Sequence, residues 1–199
     1  MSTTLTVDFF CTLDGYGSAN GWPGYWGKEG PEIREDRVRT LEEDQVLVFG
    51  ATTFRLFREF VTAFDEPYYD RMNALPKIVF SRTLEEPLGW ANSTVLREDA
   101  VTAIDRLKRT TDVPLRSHGS IALNRALLAA GLVDRLEVTV FPAITGRAGY
   151  AALFHDGAEF DLDLLDTTVL DGRTVKLVYA PHLHEAVPEG AGPRPRASR

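Results

Sequence analysis

Cysteine is nearly absent from this 199-residue chain: Cys11 stands alone. A single thiol excludes an internal disulfide framework and a cysteine-based metal cage, and it fits a reducing cytoplasm. Positive charge is scarce as well. The 22 Lys and Arg residues against 29 Asp and Glu leave a formal net charge of −7, with no Lys/Arg block ahead of the C-terminal tail. That argues against nucleic acid as a partner. It also means that any anion site must be local, built from backbone N–H groups and one or two arginines. No apolar run approaches the roughly 20 residues of a membrane span. The opening MSTTLTVDFFCTLDG has no basic region ahead of its brief apolar stretch, so no signal peptide is expected and no membrane partner is implied. No GxSxG elbow occurs, which leaves a Ser-His-Asp hydrolase without support. Two of the four histidines, His182 and His184, stand near each other without a third ligand, so no metal is expected.

What is present is ordinary for a globular protein: 44% hydrophobic and 26% charged residues. TLTVDFFCT reads as a strand that closes at Asp14-Gly15. A Gly- and aromatic-rich loop follows, and Pro31–Asp44 suits a helix. QVLVFG, LPKIVF, STVL, VPLRS and DRLEVTVF are short apolar strands. ATTFRLFREFVTAF, REDAVTAIDRLKRT and SIALNRALLAAG have apolar residues at helical spacing. This alternation predicts a mostly parallel sheet with helices on both faces. Near the end, FDLDLLDTTVL and RTVKLVYA flank Asp171-Gly172, a two-residue hairpin signal, so the sheet is expected to end in an antiparallel hairpin. The first of these strands changes phase at Leu164-Leu165, where a bulge is expected. Residues 1–184 are read as a single domain. Residues 185–199, rich in Pro, Gly and Arg, are read as a disordered tail.

Three small-residue clusters fall where predicted parallel strands end. Gly119 and Ser120 precede a helix, with Ser120 as N-cap and Gly131 as its stop. Gly50 precedes a helix that opens with Thr52 and Thr53. Ser81, Arg82 and Thr83 follow a third strand. Helix N-termini present free N–H groups and the positive end of a dipole, which suits a pyrophosphate, and Arg suits a phosphate monoester. In open α/β sheets ligands sit at this edge. Asp14 closes the first strand on the same edge, where a carboxylate can orient a polar substrate or relay a proton. Each cluster also has a plain reading, as a turn or a helix start, and their coincidence on one edge is what favours a ligand. Trp22, Tyr25 and Trp26 are candidates for stacking on a flat ring or for anchoring their loop. His118 is a candidate phosphate contact beside Gly119.

The ordered set TLDG, VFGATTF, LPKIVFSRTL and HGSIALNRALLAAGLVDRLEVTVFPAITG resembles the dihydrofolate reductase-like superfamily, in the branch of the riboflavin-biosynthesis reductase domain, from about Leu5 to Tyr179. The resemblance implies a dihydrofolate reductase-like mixed sheet and an NADPH site across its carboxyl edge. It carries the phosphate-binding turn onto His118, Gly119 and Ser120, with Ile121 and Leu123 following; His118 stands where a small residue is usual. It carries the adenosine-side element onto Gly50, Thr52 and Thr53, with Ala51 in place of the usual basic residue, and the second adenosine-phosphate element onto Ser81, Arg82 and Thr83. Gly146, ending PAITG, matches the loop that closes over the nicotinamide, and Asp14 matches an acidic residue near substrate and nicotinamide. The implied activity is NADPH-dependent hydride transfer to a small polar heterocycle or a related carbonyl or imine, in a cytoplasmic homodimer. Alternatives are a genuine dihydrofolate reductase, whose acidic position is not placed among Glu32, Glu35 and Asp36; a riboflavin-pathway reductase, although no zinc-binding deaminase motif occurs in these residues; and a non-catalytic nucleotide-binding dimer.

Overall fold

Among the described residues, ten strands and five α-helices account for most of the chain. The computed structural model describes residues 3–155 and 157–184. Its strands are β1 (Leu5–Thr12), β2 (Tyr16–Ala19), β3 (Val46–Gly50), β4 (Lys77–Phe80), β5 (Ser93–Leu96), β6 (Leu115–Ser117), β7 (Arg135–Phe141), β8 (Gly149–Ala152), β9 (Phe160–Leu170) and β10 (Thr174–Leu183). The helices are α1 (Pro31–Arg39), α2 (Ala51–Ala63), α3 (Pro67–Ala74), α4 (Ala100–Thr110) and α5 (Ile121–Ala129). Eight strands form one sheet in the order β5-β4-β3-β6-β1-β7-β10-β9, and β2 pairs with β8 apart from it. Every pair from β5 to β7 is parallel, and only β10 runs against its neighbours β7 and β9. The expected mixed, mostly parallel sheet with a C-terminal antiparallel hairpin is therefore what the chain forms.

Strand alternation divides the apolar residues between two faces. Leu5, Val7 and Phe9 of β1 and Val48 of β3 pack with Ile104 of α4 and Leu123, Leu127 and Leu128 of α5. Leu47 and Phe49 of β3 face the other way, onto Phe54 of α2 and Tyr68, Tyr69 and Met72 of α3. Each buried leucine of α5 contributes about 2 kcal/mol by leaving water. The helix ends at Gly131, whose φ is +65°. There Gly131 N–H meets the Leu128 carbonyl at 2.8 Å and Leu132 N–H the Leu127 carbonyl at 3.1 Å, a Schellman stop.

The hairpin carries the expected bulge. Val178 pairs with Asp166 and Tyr179 with Leu164, so Leu165 is skipped. Its turn is one residue longer than a two-residue loop, because the ladder closes at Leu170 and Thr174, although Asp171 and Gly172 do take the positive φ values of +51° and +64°. Four elements depart from the sequence reading. The first helix stops at Arg39 rather than Asp44, α3 was not anticipated, and the aromatic-rich loop contains β2, which pairs with the equally unanticipated β8. The expected disordered tail, 185–199, lies outside the described residues.

Candidate active site

The sheet register brings the three small-residue clusters to one rim. Gly50 is the partner of Phe80, so Ser81–Thr83 continue on the edge where α2 begins. Ser117 is the partner of both Val48 of β3 and Val7 of β1, so Gly119 and Ser120 emerge between those strands. Gly50 N–H donates to the Gly119 carbonyl at 2.7 Å. The starts of α2 and α5 are thereby pinned side by side, which local sequence alone does not reveal.

Close approach explains the glycines. A Cβ on Gly50 would lie 2.6 Å from Ser120 Oγ, and Gly119 has a φ of +94°. The Gly119–Ser120 peptide is cis. Behind the turn, fully buried Asn124 holds three segments together. Its Oδ1 accepts from Ser117 Oγ at 2.6 Å, and its Nδ2 donates to the Asp8 carbonyl at 3.1 Å. Gly119 N–H in turn donates to Ser117 Oγ at 3.3 Å.

Ser120 caps α5, its Oγ accepting Leu123 N–H at 3.4 Å. The side chain of Leu123 lies in the core and Ile121 packs against that core, so these two residues support the turn from behind. At α2 no side chain caps Gly50, so the N–H groups of Ala51, Thr52 and Thr53 keep the unpaired geometry of a helix start. Ser81 Oγ accepts from the N–H groups of Thr83 and Leu84 at 3.2 and 3.0 Å. Arg82 and Thr83 are exposed beside it. A concavity of about 550 Å³ opens beside the first turn of α5, bounded by Tyr16, Ile121, Arg125 and Ala151 among others. A larger one, about 800 Å³, lies at the opposite edge, where β4 and β5 begin, and includes none of the rim residues.

Asp14 sits beyond the end of β1, and its carboxylate is engaged with a neighbouring loop. It accepts Gly146 N–H at 2.8 Å and Thr145 N–H at 3.1 Å. Slight burial raises its pKa, but the Thr12 hydroxyl and these two amides outweigh burial and hold it below the ordinary carboxylate range. Asp14 therefore ties the 142–146 loop to the first strand. Of the three loop aromatics, Trp26 is buried against Phe141, and Tyr25 stacks on Phe141 while carrying the Arg37 guanidinium 5.2 Å from its ring centre. Both anchor the loop. Trp22 is 42% exposed and is the one open to solvent.

His118 lies elsewhere than at the mouth of the turn. Its Nδ1 meets Asp8 Oδ2 at 2.7 Å, and its ring stacks on Phe57 with centres 5.8 Å apart. Asp8 belongs to a buried charged row crossing four strands. Arg116 of β6 reaches Asp8 at 3.3 Å and Glu137 of β7 at 3.0 Å. Lys176 of β10 reaches Glu137 at 3.5 Å and Asp36 of α1 at 2.9 Å. Burial opposes charge on Asp8, but His118 and Arg116 outweigh it and hold its carboxyl low. Burial likewise opposes charge on Arg116, and Glu137 and Asp8 more than restore it. Of the three acids on the first helix, Asp36 is the one facing the sheet, and its charge is matched by Lys176 and Arg39. The sequence reading missed this row. Its signal is a charge at the centre of each of two apolar strands, Asp8 in TVDFF and Glu137 in LEVTV.

The comparisons with known proteins follow this geometry. The RibD C-terminal domain model matches residues 3–176. A putative riboflavin biosynthesis protein from Shewanella sp. PV-4 superposes with a TM-score of 0.68 at 20% identity, over 92% of this chain and 99% of that one. The Thermotoga maritima diaminohydroxyphosphoribosylaminopyrimidine deaminase/5-amino-6-(5-phosphoribosylamino)uracil reductase superposes with a TM-score of 0.64 at 13% identity, over 91% of this chain and 57% of that one. Dihydrofolate reductase from Enterococcus faecalis, solved with NADP(H), gives 0.58 at 13% identity, over 91% and 99% of the two chains. No curated protein matches the sequence. At these identities the structures speak for a shared dihydrofolate reductase-like fold, and the family model, spanning most of the sequence, assigns the chain to the RibD C-terminal domain family.

Proposed function

We propose that this chain is an NADPH-dependent reductase that transfers hydride to a small polar heterocycle or a related carbonyl or imine. The observation that carries the reading is the pair of helix N-termini, α2 and α5, joined at the rim by the Gly50–Gly119 hydrogen bond of 2.7 Å. Two adjacent helix starts offer N–H donors and aligned dipoles to one pyrophosphate. A Cβ on Gly50 would collide with Ser120, so the glycine is what lets the two helix starts approach each other. Thr52, Thr53 and the backbone of Ser120 and Ile121 serve the same phosphates. Arg82, with Ser81 and Thr83, is positioned along the rim to meet an adenosine 2′-phosphate. When bound, the dihydronicotinamide supplies the hydride. The protein's part is to orient it, to exclude water, and to hold the acceptor against it. Asp14 acts through the 142–146 loop, fixing Gly146 over the nicotinamide side, and Trp22 offers an open ring for stacking.

The family and the name of the Thermotoga protein suggest a ribosylaminopyrimidine as the first acceptor to test, with dihydrofolate as the second. A cytoplasmic setting suits the lone Cys11 thiol, which burial pushes up to about 11, keeping it protonated and unreactive. Among the described residues no helix is long and apolar enough to cross a membrane. A homodimer through β9 is part of the reading. That edge strand exposes Leu162, Leu164, Leu165 and Val169.

Calorimetric titration tests the cofactor assignment. Saturable NADPH binding tighter than NADH is expected, with Arg82→Ala narrowing the preference by about tenfold, the value of one charge-assisted contact. Equal affinity for both nucleotides in the parent and in Arg82→Ala contradicts the role of Arg82. No binding contradicts the reductase reading itself.

A further inference from the structure

The geometry assigns His118, oriented by Asp8, as the proton donor to the heterocycle that the reductase reduces. The inference rests on the reductase reading above and adds a residue that the rim does not contain. Five observations converge on it. His118 immediately precedes Gly119, so its backbone belongs to the turn that meets the cofactor. Its side chain is only 6% exposed, and Asp8 is 10% exposed, so the pair is shielded from bulk water. The short Nδ1–Asp8 contact fixes the ring and reserves Nδ1 for the carboxylate. The remaining ring nitrogen, Nε2, has no hydrogen-bond partner among the described residues. Finally, the ring packs against Phe49, at 5.7 Å, and Phe57, at 5.8 Å, which also touch each other and offer it no polar contact.

A buried imidazole nitrogen without a partner is costly unless it has a task. Here the arrangement is that of a general acid: one nitrogen on an orienting carboxylate and the other free for a ligand. The charged groups around it are accounted for. Asp8 comes from β1, Arg116 from β6, Glu137 from β7, Lys176 from β10 and Asp36 from α1. All of them pair within the row, and among the described residues Nε2 is the cluster's one fully buried side-chain atom without a partner. Phe57 is only partly buried, and the assignment requires its ring to move aside for an acceptor to reach the imidazole.

The chemistry balances. The acceptor C=N or C=O gains a hydride at carbon from the dihydronicotinamide, and its π pair moves to nitrogen or oxygen. That atom takes the proton from Nε2 of the imidazolium. Two electrons leave the dihydropyridine and enter the acceptor. His118 is left neutral and regains its proton from solvent, while Asp8 keeps its charge throughout.

The test uses the full chain, with 5-amino-6-(5-phosphoribosylamino)uracil and dihydrofolate as probe acceptors. In the parent, the single-turnover rate of NADPH oxidation is expected to fall on the high-pH side of its profile, as a general acid requires. His118→Gln is expected to lower that rate by about 100-fold and to flatten the alkaline limb. NADPH affinity is expected to stay within about threefold, since the backbone of the turn is retained. Asp8→Asn, a positioning variant, is expected to lower the rate and move the limb without changing the acceptor's KM. Independently of turnover, ¹⁵N-histidine spectra of the NADPH-bound protein are expected to shift at Nε2 of His118 when a probe binds. A normal rate and an intact alkaline limb in His118→Gln, with NADPH still bound, overturn the assignment and leave the reductase reading standing. Absence of both turnover and an Nε2 shift with either probe, while NADPH is bound, also overturns the assignment. Failure of NADPH to bind the parent protein overturns both.

Discussion

Asp14 illustrates how far a residue's neighbours redirect its role. At the end of a strand beside the proposed cofactor site, a carboxylate invites a catalytic reading. In the structure its Oδ2 accepts from both Gly146 and Thr145 N–H, the latter shared with Oδ1, which makes it the fastening of the 142–146 loop. Its folded pKa is depressed, so its contribution is complete above the ordinary carboxylate value of roughly 3.9 and is lost as pH falls through the lower folded value. Asp14→Ala is therefore expected to speed amide exchange at Thr145 and Gly146 by about tenfold near neutral pH, less if solvent screens the carboxylate. The parent protein is expected to show the same loosening only in strong acid. Unchanged exchange at both amides in the variant would remove Asp14 from the loop's support. At the same scale, His118 was legible in the sequence as a candidate phosphate contact and as a departure from a small-residue turn. Its pairing with Asp8 was not, because the two lie 110 positions apart and meet only through the β1–β6 register.

At the scale of elements, one hairpin turn governs a helix far away in sequence. α1 begins at Gly30 without a side-chain cap of its own. Asp171, in the β9–β10 turn, provides it: its carboxylate accepts Glu32 N–H at 2.9 Å and Ile33 N–H at 3.4 Å. Asp171→Gly keeps the positive φ and removes the cap, so about 1 kcal/mol of stability is expected to be lost in chemical denaturation. Asp171→Asn, which retains an acceptor oxygen, is expected to lose less. Equal stability of all three proteins would show that α1 does not depend on the turn. Most elements were legible because the signals are local: apolar runs ending at Gly50 and Ser117, the Gly131 stop, and the phase change that marks the Leu165 bulge. The misses have a shared cause. α3 opens with Pro67 and a pair of tyrosines, weak helix formers that become ordered by packing in the second core. β2 is four residues long and exists only because β8 pairs with it.

At the scale of the whole molecule, among the described residues, the sheet has one long edge strand with a single neighbour, β9, and one rim of parallel strand ends. β9 is exposed along most of its length, and Leu162, Leu164 and Val169 stand open on it. An exposed edge strand with apolar side chains favours a second copy as its cover. The dimer reading predicts that light scattering gives about twice the chain mass of 22.1 kDa for the parent, and that Leu164→Asp shifts it to the monomer. A monomeric parent contradicts it. The rim of parallel strand ends was visible in the sequence as three separate clusters. Their coincidence on one edge was expected, but the direct contact between two of them was not, because the bond from Gly50 to Gly119 is a product of sheet order, with β6 inserted between β1 and β3. The charged row across β6, β1, β7 and β10 was hidden for the same reason: each member looks isolated until the strands are placed side by side.

The central claim is that this rim grips one nicotinamide dinucleotide. The most direct measurement is an amide-resolved NMR titration of the full chain with NADPH. The account predicts the largest shifts at Ala51–Thr53, Ser81–Thr83 and Gly119–Ala122, moving together with a single affinity. Shifts confined to the concavity between Ala74 and Thr94, or none at all at saturating NADPH, would contradict it.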